Sequence, residues 1–80
     1  MDSGTAVVNR ILELCQERDI SINRLGTISG VSQSTINNIT SKRNASTTVS
    51  TIKKLCDGLE ITLGEFFSTP EFDNLEQEIK

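Results

Sequence analysis

Residues 21–40 read SINRLGTISGVSQSTINNIT, and this stretch decides the fold. Its first half has an apolar residue at every third position, which predicts a short helix with one buried face. These apolar residues are Ile22, Leu25 and Ile28. Ser21 is a favoured N-cap residue for this helix, and Gly30 tolerates the positive φ at which many helices end. Because Ser32 can cap another helix only two residues later, the stretch predicts two short helices joined by a glycine turn.

The second of these helices, residues 32–40, is expected to have a polar but uncharged outer face. Ile36 and Ile39 are spaced to point inward. The side chains expected outside are Gln33, Ser34, Asn37 and Asn38. Solvated helices usually carry Lys and Glu on this face, whereas amides and hydroxyls match the donors and acceptors of bases, Gln or Asn with adenine above all. The pattern favours a helix-turn-helix whose second helix reads base edges in the major groove of DNA.

Cations and hydroxyls beside this helix are candidates for contacts to the phosphate backbone. The phosphate-contacting residues that we predict are Arg24, Ser32, Thr35, Lys42, Arg43 and Asn44. Such contacts supply affinity without reading sequence. Lys53 and Lys54 add further positive charge.

Helical periodicity continues on both sides of this stretch, and no alternating strand pattern persists, which predicts an all-α domain of five helices. The flanking helices are expected at about residues 5–18, 48–59 and 62–67. Their expected inward faces are Val7, Val8, Ile11, Leu12, Leu14 and Cys15 in the first helix and Val49, Ile52, Leu55, Cys56 and Leu59 in the fourth. Thr62 and Glu65 predict a capping box at the last helix. Phe66 and Phe67 are expected to be the only large rings in the ordered core.

Composition limits the possible functions. Eighty residues make one small domain, and the absence of histidine excludes Ser-His and Cys-His catalysis. Cys15 and Cys56 form no C-x-x-C pair, so we expect no metal site, no cofactor and no enzyme activity. Both cysteines fall on apolar faces, which favours buried thiols over redox sensing.

Charge is unevenly distributed along the chain. The net charge of −3 divides into −2 for residues 1–20, +5 for residues 21–55, which contain no acid, and −6 for residues 56–80. A phosphate backbone would respond to the local potential of the middle third, not to the total. Since no apolar run reaches five residues, we expect a cytoplasmic protein without a membrane partner.

The chain resembles the Cro and phage-repressor-like helix-turn-helix family, also called the xenobiotic response element family. The resemblance covers about residues 8 to 68 and rests on SINRLGTISG, the Gly30-Val31-Ser32 turn, QSTINNI and TIKKLCDGLEITLGEFF. It implies a compact five-helix bundle of the lambda-repressor-like type that regulates transcription, commonly as a dimer on a palindromic operator. By position it implies base contacts from Gln33, Ser34 and Asn38, with Asn37 close by, and phosphate contacts from Ser32, Thr35 and Arg43.

We therefore predict a sequence-specific regulator of double-stranded DNA, a repressor, that forms a homodimer at least on DNA. The helix-turn-helix domain is expected at residues 1–69, followed by an acidic tail at residues 70–80. The apolar residues Phe72, Leu75 and Ile79 of that tail can fold back, self-associate or contact another protein. The net acidity also permits a second interpretation, a protein-interaction module of an antitoxin or antirepressor that keeps this fold.

Overall fold

Six α-helices form the regular structure of the described part of the chain. The computed structural model describes residues 2–41, 47–77 and 79. The helices are α1 (Ser3–Glu17), α2 (Ile22–Ser29), α3 (Gln33–Thr40), α4 (Val49–Leu59), α5 (Leu63–Phe67) and α6 (Pro70–Asp73). These ranges contain no β-strand, and the all-α prediction is confirmed.

Local capping explains where the first five helices begin. Each starts after a short polar residue whose side chain accepts a hydrogen bond from the backbone N–H three positions on, an arrangement worth about 1 kcal/mol per helix. The capping residues are Asp2, Ser21, Ser32, Thr48 and Thr62. At α5 the cap is reciprocal, because the Glu65 side chain accepts from the Thr62 backbone N–H at 3.0 Å. The predicted caps at Ser21 and Ser32 and the predicted capping box are confirmed.

The core is aliphatic around one fully buried ring. The residues that form it are Val7, Val8, Ile11, Leu14, Cys15, Leu25, Ile36, Ile39, Ile52, Leu55, Cys56, Leu59 and Phe66. Both cysteines are free and buried, and burial raises the pKa of both thiols. Three residues expected to face inward are exposed instead: Leu12 by 43%, Ile28 by 38% and Val49 by 66%. Each lies at the edge of its helix's apolar face, beyond the reach of the neighbouring helices.

A third phenylalanine joins the aromatic group, so the expectation of only two rings was wrong. Pro70 does not simply break the chain, because it occupies the first turn of α6, where its missing N–H costs nothing. The Phe72 ring lies 4.9 Å from that of Phe67 and 6.1 Å from that of Phe66, centroid to centroid. Phe72 thus folds back onto the core, whereas Ile79 is 83% exposed.

Arg10 ties α1 to the end of α5. Its Nε donates to the Phe66 carbonyl O at 2.7 Å, and its Nη2 donates to the Glu65 carbonyl O at 2.9 Å. A second bond from the same guanidinium reaches the Glu13 carboxylate. The side chain of Arg10 is 14% exposed, so these bonds lie partly out of water. Arg10 therefore satisfies carbonyls that a helix of five residues leaves without an internal partner.

Close packing of α2 on α4 sets the position of the segment that follows α2. A Cβ atom added at Gly58 would lie 2.3 Å from Ser29 Oγ and 3.0 Å from Ser29 Cα. Only a residue without a side chain allows this approach. Ser29 Oγ is buried and has no hydrogen-bond partner within the described ranges.

Candidate nucleic-acid interface

The two short helices are joined by a tight left-handed turn. Gly30 ends α2 at φ 70° and ψ 22°, and the Val31 N–H donates to the Gly26 carbonyl O at 3.0 Å. Ser32 is extended at φ −65° and ψ 153°, and its hydroxyl accepts from the Thr35 N–H at 3.2 Å. The turn thus reverses the chain within three residues. This is the geometry that the glycine and the two caps predict for a helix-turn-helix.

Helix α3 packs closely against α2 at Gly26. A Cβ atom at this position would lie 3.1 Å from the Val31 carbonyl O and 3.2 Å from Ile36 Cγ1, tighter than ordinary contact. Ile36 and Ile39 are 1% and 5% exposed, so the inner face of α3 is fixed in the core. The outer face is therefore held rigidly at the surface.

That outer face carries four exposed polar side chains. They are Gln33, Ser34, Asn37 and Asn38, the residues predicted to contact bases. Those of Ser34, Asn37 and Asn38 make no hydrogen bond to any other described residue, so their donors and acceptors are available to a ligand. Gln33 differs, because its Nε2 donates to the Asn23 carbonyl O of α2 at 3.4 Å. Sequence reasoning missed Asn23, since a backbone carbonyl gives no signal in residue type.

The predicted phosphate contacts separate into three groups. Arg24 is exposed in the first turn of α2, next to the residue that Gln33 contacts. Ser32 donates its hydroxyl hydrogen to Thr35 Oγ1 at 3.0 Å, which leaves the Thr35 hydroxyl hydrogen available as a donor. The third group, Lys42, Arg43 and Asn44, lies outside the described residues.

Charge around the helix pair is sparse and positive. Residues 20–41 contain one charged side chain, Arg24, and the nearest acids along the sequence are Asp19 and Asp57. On α4, Lys53 Nζ pairs with the Asp57 carboxylate, which offsets part of the positive charge expected there, while Lys54 is exposed. An uncharged face flanked by cations suits recognition of base edges beside phosphates.

Other kinds of site find no support in residues 2–41, 47–77 and 79. This part of the chain brings together no group of three or more His, Cys, Asp or Glu side chains that could hold a metal ion. None of its helices has the length and apolar character needed to cross a membrane.

Comparison with known proteins supports the same interpretation of this face. A family profile described as the Cro/C1-type HTH DNA-binding domain matches residues 10–71. The chain is 36% identical over 70 residues to the HTH-type transcriptional regulator PuuR of Escherichia coli (strain K12), and equally to that of Shigella flexneri. Each match covers 88% of this chain but 37% of the relative, so the chain spans little over a third of their length.

A solved structure shares the fold over nearly the whole chain. The crystal structure of the prophage Lp1 protein 11 superposes with a TM-score of 0.83 at 33% identity, covering 94% of this chain and 100% of that one. The arrangement of the helices is therefore that of a phage repressor-like domain.

Proposed function

Because the chain belongs to the family of Cro/C1-type helix-turn-helix DNA-binding domains, we propose that it binds double-stranded DNA sequence-specifically and acts as a transcriptional repressor. One observation carries the proposal. The exposed face of α3 offers four uncharged hydrogen-bonding side chains on a helix whose inner face is fixed in the core. A solvated surface helix has no need of such a face.

In this proposal α3 enters the major groove. Gln33 and Ser34 in its first turn, and Asn37 and Asn38 one turn later, contact base edges. Three of these four side chains have no hydrogen bond to the rest of the described chain, so binding to bases breaks no such bond of theirs. The short side chains also allow the helix axis to approach the base pairs closely.

Phosphate contacts position the helix. Arg24 supplies a cation from α2, and Thr35 supplies the hydroxyl donor that its bond with Ser32 leaves available. Lys42, Arg43 and Asn44 remain predicted phosphate contacts of the segment after α3. These groups give affinity on any duplex, whereas the base contacts give preference among duplexes.

We further propose that two copies bind a palindromic operator. A homodimer on B-form DNA needs its two recognition helices about 34 Å apart, one helical turn of the duplex. The proposal assigns no catalytic step and no cofactor to the domain.

Selection from a randomised duplex library tests the proposal. Purified protein is expected to enrich a palindrome, and fluorescence anisotropy of the winning site is expected to show affinity that falls steeply with salt. Gln33→Ala is expected to cost about 1 to 3 kcal/mol on this site and little on random DNA. Gln16→Ala, which changes an exposed glutamine of α1, is the matched control and is expected to leave both affinities unchanged. Equal losses on both duplexes for Gln33→Ala would contradict base reading.

The phosphate role has a separate test. Arg24→Ala is expected to weaken specific and random duplexes alike and to reduce the slope of log K against log salt by about 1. Arg18→Ala removes an equally exposed arginine at the end of α1 and serves as the control. A loss confined to the selected site would assign Arg24 to base reading instead.

Net acidity favours a second candidate, a protein-interaction module that keeps the fold. Its support is the charge of −6 on residues 56–80 and of −3 on the whole chain. It predicts no enriched duplex even at low salt, and no effect of Gln33→Ala on its binding partner.

A further inference from the structure

The contact between Gln33 and α2 restricts how this side chain can meet DNA. Its Nε2 lies 3.4 Å from the Asn23 carbonyl O, a long but well-oriented hydrogen bond. The same carbonyl accepts the Thr27 hydroxyl at 3.2 Å. A carbonyl oxygen has two lone pairs and donates nothing, so only the NH₂ end of the glutamine amide can face it. The chemistry of the partner therefore fixes which end of the amide points back toward α2.

Counting donors and acceptors then shows what remains for a ligand. One N–H of the Gln33 amide is directed to α2, which leaves Oε1 as an acceptor and the second N–H as a donor. In the major groove adenine presents a donor at N6 and an acceptor at N7, side by side. Cytosine presents only a donor, and guanine only acceptors. The groups that Gln33 retains match adenine alone in both respects.

Gly26 provides the space for this arrangement. A Cβ atom at position 26 would lie 3.0 Å from Gln33 Nε2, the closest of its contacts. Even an alanine methyl group would therefore press on the amide that bonds to Asn23 O. The absence of a side chain at Gly26 allows the Gln33 amide to lie against α2.

We propose that Gln33 reads an adenine in an orientation set by α2, with Gly26 as a positioning residue for that reading. The proposal rests on the proposed function, and it adds the identity of one base and the residue that governs its recognition. Gly26 touches no DNA in it. Its effect reaches the duplex through the Gln33 side chain.

The first experiment measures base preference at each position of the selected operator. Wild-type protein is expected to prefer adenine by about 10-fold at one position of each half-site, and Gln33→Ala is expected to lose that preference there and nowhere else. Gly26→Ala is expected to reduce it to about 2-fold while preferences at other positions persist. Gly64→Ala is the control, because a Cβ atom there would meet only Thr62 Oγ1, at 3.7 Å.

A double-mutant cycle separates positioning from general damage. If Gly26 acts through Gln33, adding Gly26→Ala to Gln33→Ala lowers adenine preference no further. Replacing the adenine with 7-deazaadenine, which lacks the N7 acceptor, is expected to weaken wild-type binding about 10-fold and Gln33→Ala hardly at all. Gln33→Glu, which keeps the shape but removes the donors, is expected to move the preference toward cytosine.

Two measurements keep the proposal testable if Gly26→Ala does not fold. The 7-deazaadenine and Gln33→Glu experiments leave position 26 unchanged. In the free wild-type protein, NMR is expected to show nuclear Overhauser contacts from the Gln33 side-chain amide to the Gly26 Hα atoms. Absence of those contacts would overturn the positioning role.

The outcomes distinguish this inference from the proposed function. A selected operator with adenine preference that survives in Gln33→Ala or in folded Gly26→Ala overturns the inference and leaves sequence-specific binding intact. A library selection that enriches no duplex overturns both.

Discussion

Arg10 links two helices through backbone carbonyls, and its replacement by methionine tests whether that link stabilises the fold. Methionine keeps an apolar stem in a site where the arginine side chain is 14% exposed. It removes the donors to the Phe66 and Glu65 carbonyls at 2.7 and 2.9 Å. The change therefore isolates two hydrogen bonds while leaving most of the packing.

The expected magnitude follows from the surroundings of each carbonyl. A hydrogen bond from a charged donor contributes about 1.5 to 3 kcal/mol, and less where water can replace the donor. The Phe66 bond is partly buried and is assigned about 2 kcal/mol, whereas the exposed Glu65 bond is assigned about 1 kcal/mol. Arg10→Met is therefore expected to lower the free energy of unfolding by about 2 to 3 kcal/mol. For a domain of this size that corresponds to a fall in Tm of about 10 to 20 °C.

Urea and thermal unfolding followed by circular dichroism measure this loss. Glu13→Gln removes the ion pair with Arg10 but keeps both carbonyl contacts, and is expected to cost less than about 0.5 kcal/mol because the pair is exposed. Arg10→Lys keeps the charge but not the planar fork and is expected to fall between the two. A loss under about 0.5 kcal/mol for Arg10→Met, or an equal loss for Glu13→Gln, would refute the reasoning.

Three further predictions concern packing, backbone strain and pH. Ser29→Ala is expected to raise the free energy of unfolding by about 1 kcal/mol, because it removes a buried hydroxyl without a partner in the described ranges. Gly58→Ala is expected to lower it by about 2 to 3 kcal/mol through the clash with Ser29; urea unfolding that ranks the two variants in reverse would contradict both. Glu60→Gly is expected to raise Tm, since Glu60 lies at φ 59° where glycine is unstrained, and an unchanged or lower Tm would count against strain there. The Thr5 backbone N–H bonded to Asp2 lowers the pKa of this carboxyl below 3.8, so its stabilisation is present above the unfolded pKa and is lost as pH falls through the folded value. The advantage of wild-type protein over Asp2→Asn in urea unfolding is therefore expected to shrink below about pH 4, and an advantage independent of pH would contradict this.

Much of the fold was predictable because it depends on residues close in sequence. A cap acts on an N–H three positions away, and a left-handed glycine acts at its own position. Ser32 and Gly30 therefore predicted the turn without knowledge of the other helices. The exposed face of α3 was predictable for the same reason, since two inward isoleucines fix which residues point outward. Val49 was placed wrongly because its exposure depends on how far neighbouring helices extend beside α4.

The sequence by itself determined the helices, the turn between α2 and α3, and the uncharged chemistry of the outer face. Only the tertiary structure decided that Arg10 satisfies the carbonyls of α5, that Phe72 completes the aromatic group, and that Gln33 is held by a carbonyl of α2. These contacts join elements that pack at angles and distances set by the whole core. Backbone carbonyls are the same in every residue, so no pattern of side chains announces which of them a distant donor will reach.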